Sequence, residues 1–226
     1  MTRTYDIIHN IRTIEGYIED AMWMAILDGD HEQELRKYES ALNILESLSV
    51  LSPDEERERK RVLSYCLMRI NDAMEQLERH EGSLERAKQV LQLAEESEDL
   101  VQILRAQLAL GVTLLNSGNL SEAEQYFASI IKQTQNERKN PEVIQVFGWT
   151  LIVRVNILMG KSLNNQAKIL AEEALGVLSG IKNYAGLRTV CSLLAKIHQI
   201  EGNQEMAASF NEQSEKYGEL AIKNRK

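Results

Sequence analysis

Between Leu110 and Phe127 the chain reads Leu110-Gly111, Leu114, Gly118-Asn119-Leu120, Ala123 and Phe127. A glycine on an apolar helix face is followed by a Gly-Asn turn, then by an alanine and an aromatic four residues apart. Glycine and alanine at such steps let two helix axes approach, and large neighbours fill the remaining space. Weaker copies of the turn and its trailing small residues centre on Gly29-Asp30, Gly82-Ser83, Ser162 and Gly202-Asn203. A repeated helix–turn–helix unit buries its apolar side against its neighbours, so the pattern predicts a solenoid. A helical bundle with chance Gly-Asn turns is the alternative.

Apolar residues keep to helical steps along the whole chain, beginning with Ile7, Ile11, Ile14, Ile18, Met22 and Ala25. No stretch alternates with the two-residue period of a strand, and only 2 prolines and 12 glycines interrupt the helix formers. Ser52-Pro53-Asp54-Glu55 is a helix start in which Ser52 and Glu55 form a capping box and Pro53 occupies the first turn. The helix it opens is expected to reach about His80. Lys223, Asn224, Arg225 and Lys226 make a cationic end that suits a helix C-terminus. The expected fold is all-α, a right-handed α-solenoid of about five antiparallel helix pairs in a single domain, 1–226. The pairs fall at about 4–49, 53–97, 99–138, 141–180 and 182–223.

The formal net charge is −8, whereas nucleic-acid binding needs a basic surface to neutralise phosphates. The one basic cluster, Arg57, Arg59, Lys60 and Arg61, is interleaved with Glu55, Glu56 and Glu58, as on a solvated helix face. No apolar run approaches the roughly 20 residues of a membrane span, and the first six residues lack an apolar signal core. No nucleic acid and no membrane are therefore expected as partners. Cys66 and Cys191 belong to no C-x-x-C pair, which fits a reducing, cytoplasmic setting.

His9, His31, His80 and His198 are scattered and make no metal pattern. Glycine-rich phosphate loops are absent, and acidic pairs such as Glu95-Glu96 and Glu172-Glu173 are ordinary on solvated helices. Neither cysteine has a neighbour that would lower its pKa. The expectation is a protein with no cofactor, no metal and no catalytic residues.

These residues resemble the tetratricopeptide repeat family. The copy from Leu110 to Ile131 matches it well, although Ile130 replaces its last small residue. Gly29-Asp30, Tyr38, Ala41 and Leu42 match the second half of another copy, with Glu34 at the usual alanine position. Ala87, Leu91 and Ala94 fit behind Gly82, and Ala167, Ala171 and Ala174 behind Ser162. Gly202-Asn203 and Ala207 mark the weakest copy, where Asn211 and Ser214 replace the aromatic and the alanine.

The resemblance implies that the first helix of each pair lines a concave groove. Aligning the copies by their turns puts Arg105, Leu108, Val112 and Leu115 on that side of one first helix, and Trp149, Ile152, Asn156 and Met159 on the next. Arg69, Asp72, Gln76 and Arg79 fall on one flank, and Ser192, Lys196 and Gln199 on the other. An apolar centre with a polar surround suits a peptide or helix. Trp149 is the strongest anchor candidate and Asn156 the next, since an amide can hold both a donor and an acceptor of an extended peptide. Each apolar residue has the competing role of packing between repeats. Chaperone-tail readers of the family clamp a carboxylate at positions held here by Asp72, Ala73, Leu108, Ala109 and Val112, so that clamp is missing. The expected function is a non-catalytic adaptor or scaffold binding another protein or peptide. The alternatives are a homodimer that buries the apolar surface, or the peptide-sensing domain of a bacterial signalling system.

Overall fold

The computed structural model describes residues 2–49, 51–135, 137 and 139–224. Its described residues form ten α-helices and no strand. In chain order these are α1 (Thr2–Asp28), α2 (His31–Ser47), α3 (Pro53–Gln76), α4 (Ser83–Ser97) and α5 (Leu100–Asn116). They continue with α6 (Leu120–Thr134), α7 (Pro141–Gly160), α8 (Asn164–Gly180), α9 (Tyr184–Ile200) and α10 (Gln204–Lys223).

All five expected turn markers adopt left-handed backbone: Gly29 at φ 71°, Gly82 at 68°, Gly118 at 82°, Ser162 at 59° and Gly202 at 78°. Three share one closing bond, in which the next N–H donates back five residues. Asn119 donates to the Leu114 carbonyl (2.8 Å), Leu163 to Leu158 (2.9 Å) and Asn203 to His198 (2.9 Å). Side-chain caps then start the following helices. Asp30 accepts from the Gln33 N–H at 2.9 Å and Asn203 from Met206 at 3.2 Å. The Ser52 box is complete: the Ser52 N–H donates to Glu55 Oε2 (2.6 Å) and the Glu55 N–H to Ser52 Oγ (3.4 Å).

Two boundaries differ from expectation. α3 stops at Gln76 rather than near His80, because Glu78 turns left-handed (φ 58°) and the Arg79 N–H closes on the Met74 carbonyl at 2.8 Å. α6 stops at Thr134; Asn136 and Arg138 of its expected extension lie outside the described residues, as do Arg225 and Lys226 of the cationic end.

The chain forms two compact units, residues 1–126 and 127–226, with the boundary inside α6. In the first, α1, α3 and α5 touch in succession, α2 packs on α1 and α3, and α4 packs on α3 and α5. Among the described residues α2 and α4 do not meet. Odd-numbered helices therefore form the inner layer and even-numbered ones the outer. Tyr38, Ala41, Leu45, Val62, Cys66, Ala94 and Ala106 are fully enclosed between them.

In the second unit α7 touches α8 and α9, α8 packs on α9, and α10 covers α9. Ala167, Ala171 and Ala174, the small residues behind Ser162, are completely buried beside Leu178, Val190, Leu194 and Ile197. The expectation that no apolar run approaches membrane-span length needs correction here. α7 is 20 residues long and contains an 18-residue stretch with a mean hydropathy of 1.6, enough by length and composition to cross a bilayer. Its Val143, Val146, Leu151, Ile152 and Val155 are buried in the protein, and a core helix of a folded domain meets the same criteria.

Candidate functional site

The expected groove residues fall in both units, and each set takes its surroundings from its own unit. In the first, Tyr65, Arg69 and Asp72 sit at three- and four-residue steps on α3 and share one face. The Arg69 guanidinium lies 5.4 Å from the Tyr65 ring centroid, a cation–π distance. Its Nη2 is 3.3 Å from Asp72 Oδ2, its Nη1 is 3.3 Å from the Met22 sulfur of α1, and its buried Nε has no hydrogen-bond partner. Burial pushes the Asp72 carboxyl above the usual carboxylate range despite Arg69, and the nearby charges of Glu75 and Glu34 push it the same way. Tyr65 also feels Arg105 of α5 and Glu15 and Glu19 of α1, so the inner helices bring alternating charges around one buried phenol.

Along α5, Arg105, Leu108, Val112 and Leu115 recur at steps of three and four, one face of the helix. All four are half-buried. Arg79 is different. It follows the end of α3, is exposed, and ion-pairs with Glu32 of α2, so it does not belong to the inner face expected for it.

In the second unit Ile152 is corrected outright. It is 3 % exposed and belongs to the core with Leu151, Val155 and Leu187, so no ligand reaches it. Trp149 and Met159 are half-buried and pack against that core. Asn156 is exposed and its Nδ2 donates to the Ile152 carbonyl at 3.2 Å, which occupies one of its two donors. Lys196 of α9 is exposed.

Sequence reasoning missed a polar network on α2. Buried Glu34 accepts from the Tyr38 hydroxyl (2.6 Å) and from His31 Nδ1 (2.8 Å). Burial and then the Glu34 carboxylate push the Tyr38 phenol far above its ordinary pKa, so it remains a donor. The departure at the usual alanine position was its visible sign. His198 is buried, stacks on Phe210 with centroids 5.5 Å apart, and holds Nδ1 3.2 Å from Glu201 Oε2. Burial pushes the Cys66 thiol up to about 12 and the Cys191 thiol up to about 11, which suppresses the nucleophilic thiolate.

The basic cluster of α3 is satisfied by carboxylates. Arg59 pairs with Glu56 (2.7 Å), Lys60 with Glu96 of α4 (2.9 Å), and Arg61 with Glu58 (3.0 Å) and Glu15 of α1 (2.6 Å). These pairs stitch α1, α3 and α4 together.

No family model and no curated protein matches the chain. Solved structures do. BtubC (BKLC) from P. vanneervenii superposes with a TM-score of 0.56 at 15 % identity, covering 97 % of this chain and 93 % of that one. A putative kinesin light chain of Podosopora anserina with nearly identical TPR-like repeats gives 0.53 at 14 %, covering 96 % and 99 %. The apo form of RapI gives 0.52 at 12 %, covering 95 % and 86 %. The chain has the fold of the tetratricopeptide-like helical repeats.

Proposed function

We propose that the protein is a non-catalytic interaction module whose inner helices bind a peptide or helical segment of another protein. The observation that carries this is the α5 face. Leu108, Val112 and Leu115 are apolar and partly reached by solvent, on the same face of α5 as Arg105, and α3 carries the charged pair Arg69 and Asp72. Apolar anchors next to polar groups that fix register are what a peptide-binding surface requires. In the second unit Trp149, Asn156, Met159 and Lys196 are the candidates for a contact of that unit's own. The same surface would serve a peptide-sensing regulatory domain. The free thiols of Cys66 and Cys191 support a cytoplasmic setting.

Selection of displayed random peptides on the purified protein tests the reading. The expected result is an enriched sequence whose synthetic peptide raises the melting temperature, as linkage demands. Val112→Asp is expected to weaken a peptide held by the α5 face tenfold or more. A library that yields no enriched sequence, or only peptides indifferent to Val112→Asp, would refute the proposal.

A further inference from the structure

On its solvent side α1 exposes Tyr17 (41 %), Met24 (40 %) and Leu27 (43 %), which with Asp20 recur at steps of three and four and so share one face. On α2, Ile44 is 51 % exposed and stands seven residues, two turns, after Lys37. The Lys37 ammonium lies 2.9 Å from the Met24 sulfur, so the exposed stripes of α1 and α2 adjoin as one two-helix face.

We infer that this face docks onto the same face of a second copy of the chain. A two-fold contact must be self-complementary, with each residue type meeting its opposite across the axis. This face carries an anion on α1, Asp20, and a cation on α2, Lys37. Antiparallel apposition sets Asp20 of each copy against Lys37 of the other and encloses the apolar side chains between them. α2 is 17 residues long, or about 25 Å at the helical rise, and two helices side by side are about 20 Å wide. Such a face offers roughly 500 Å² in projection per copy, at the lower end of specific interfaces. A contact of that size is expected to be reversible. It is independent of the inner-helix surface.

Sedimentation velocity of the full chain from about 1 to 300 µM tests it, with circular dichroism melts to show that each variant is folded. Wild type is expected to move from monomer to dimer across that range, and Leu27→Glu/Ile44→Glu to stay monomeric. Asp20→Lys alone sets two lysines against each other twice, and is expected to raise the dimer Kd roughly tenfold. Lys37→Asp alone should do the same, and the two together should restore wild-type association. Trp149→Ala should leave the dimer unchanged. A wild type monomeric throughout, or a double reversal that fails to recover association while folded, overturns the inference. A dimer lost with Trp149→Ala but not with Leu27→Glu/Ile44→Glu overturns it in favour of the inner surface.

Discussion

Leu178 of α8 lies so close to Gly148 of α7 that a β-carbon built on the glycine would meet Leu178 Cδ2 at 2.5 Å. The same leucine would meet a β-carbon on Gly186 of α9 at 2.8 Å. Leu178 is completely buried, so it has little room to retreat. One side chain thus sets how near three helices of the second unit can come. Gly148→Ala is expected to destabilise the protein by about 1–3 kcal/mol in urea denaturation through overpacking. In a Leu178→Ala background the same substitution should cost much less. Additive effects would show that the contact does not limit the packing.

Ser162 holds the position that glycine holds at the other four turn markers, and holds it at φ 59°. A side chain there is strained by its β-carbon, whereas glycine is not. Ser162→Gly should stabilise by about 0.5–1 kcal/mol, and Gly118→Ala should destabilise by about 1 kcal/mol or more. Thermal melts of the two variants, moving in opposite directions, are the check.

Glu34→Ala removes the acceptor of the buried Tyr38 hydroxyl and should cost about 1–3 kcal/mol. Tyr38→Phe added to it removes the stranded donor and should recover most of that loss. Urea midpoints of both variants distinguish this from a simple cavity effect, which the second substitution would not relieve.

Hydrogen bonding to Arg61, outweighing burial, holds the Glu58 carboxyl below its ordinary range, with Arg12 adding to the effect. A depressed carboxyl contributes stability that is complete above the unfolded value, about 4.3, and is lost as pH falls through the folded one. Glu58→Gln should therefore lower the urea midpoint at pH 7 and flatten its decline between about pH 5 and 3. An unchanged pH profile would mean that Arg61 is held by Glu15 alone.

Both thiols should be inert to disulfide reagents at pH 8 in the folded protein, since burial holds them protonated. Release of both in urea, with native rates limited by opening of the structure, is the expected result of a DTNB time course.

Helix number and the five left-handed turns were legible in the residues because they follow from local physics. A Gly-Asn pair closes a helix and caps the next within six residues, and a period of three to four shows which side is apolar. The same rules placed Ala167, Ala171 and Ala174 in the core. The end of α3 was missed because nothing in Glu78-Arg79-His80 announces a left-handed glutamate.

Accessibility and pairing were not legible, because they depend on side chains from distant elements. Periodicity assigns Ile152 and Trp149 to neighbouring positions of α7, yet packing by α8 and α9 encloses the first and leaves the second half open. Arg69 and Arg79 look alike in the chain. Tertiary structure engages one with Tyr65 and Asp72 on the inner helices and ties the other to Glu32 at the exposed start of α2. Sequence alone determined the repeating helices and their turns, whose energies are set within a few residues. Only the folded structure decided which side chains remain for a partner, since burial and charge pairing are settled by what neighbouring helices bring to each position.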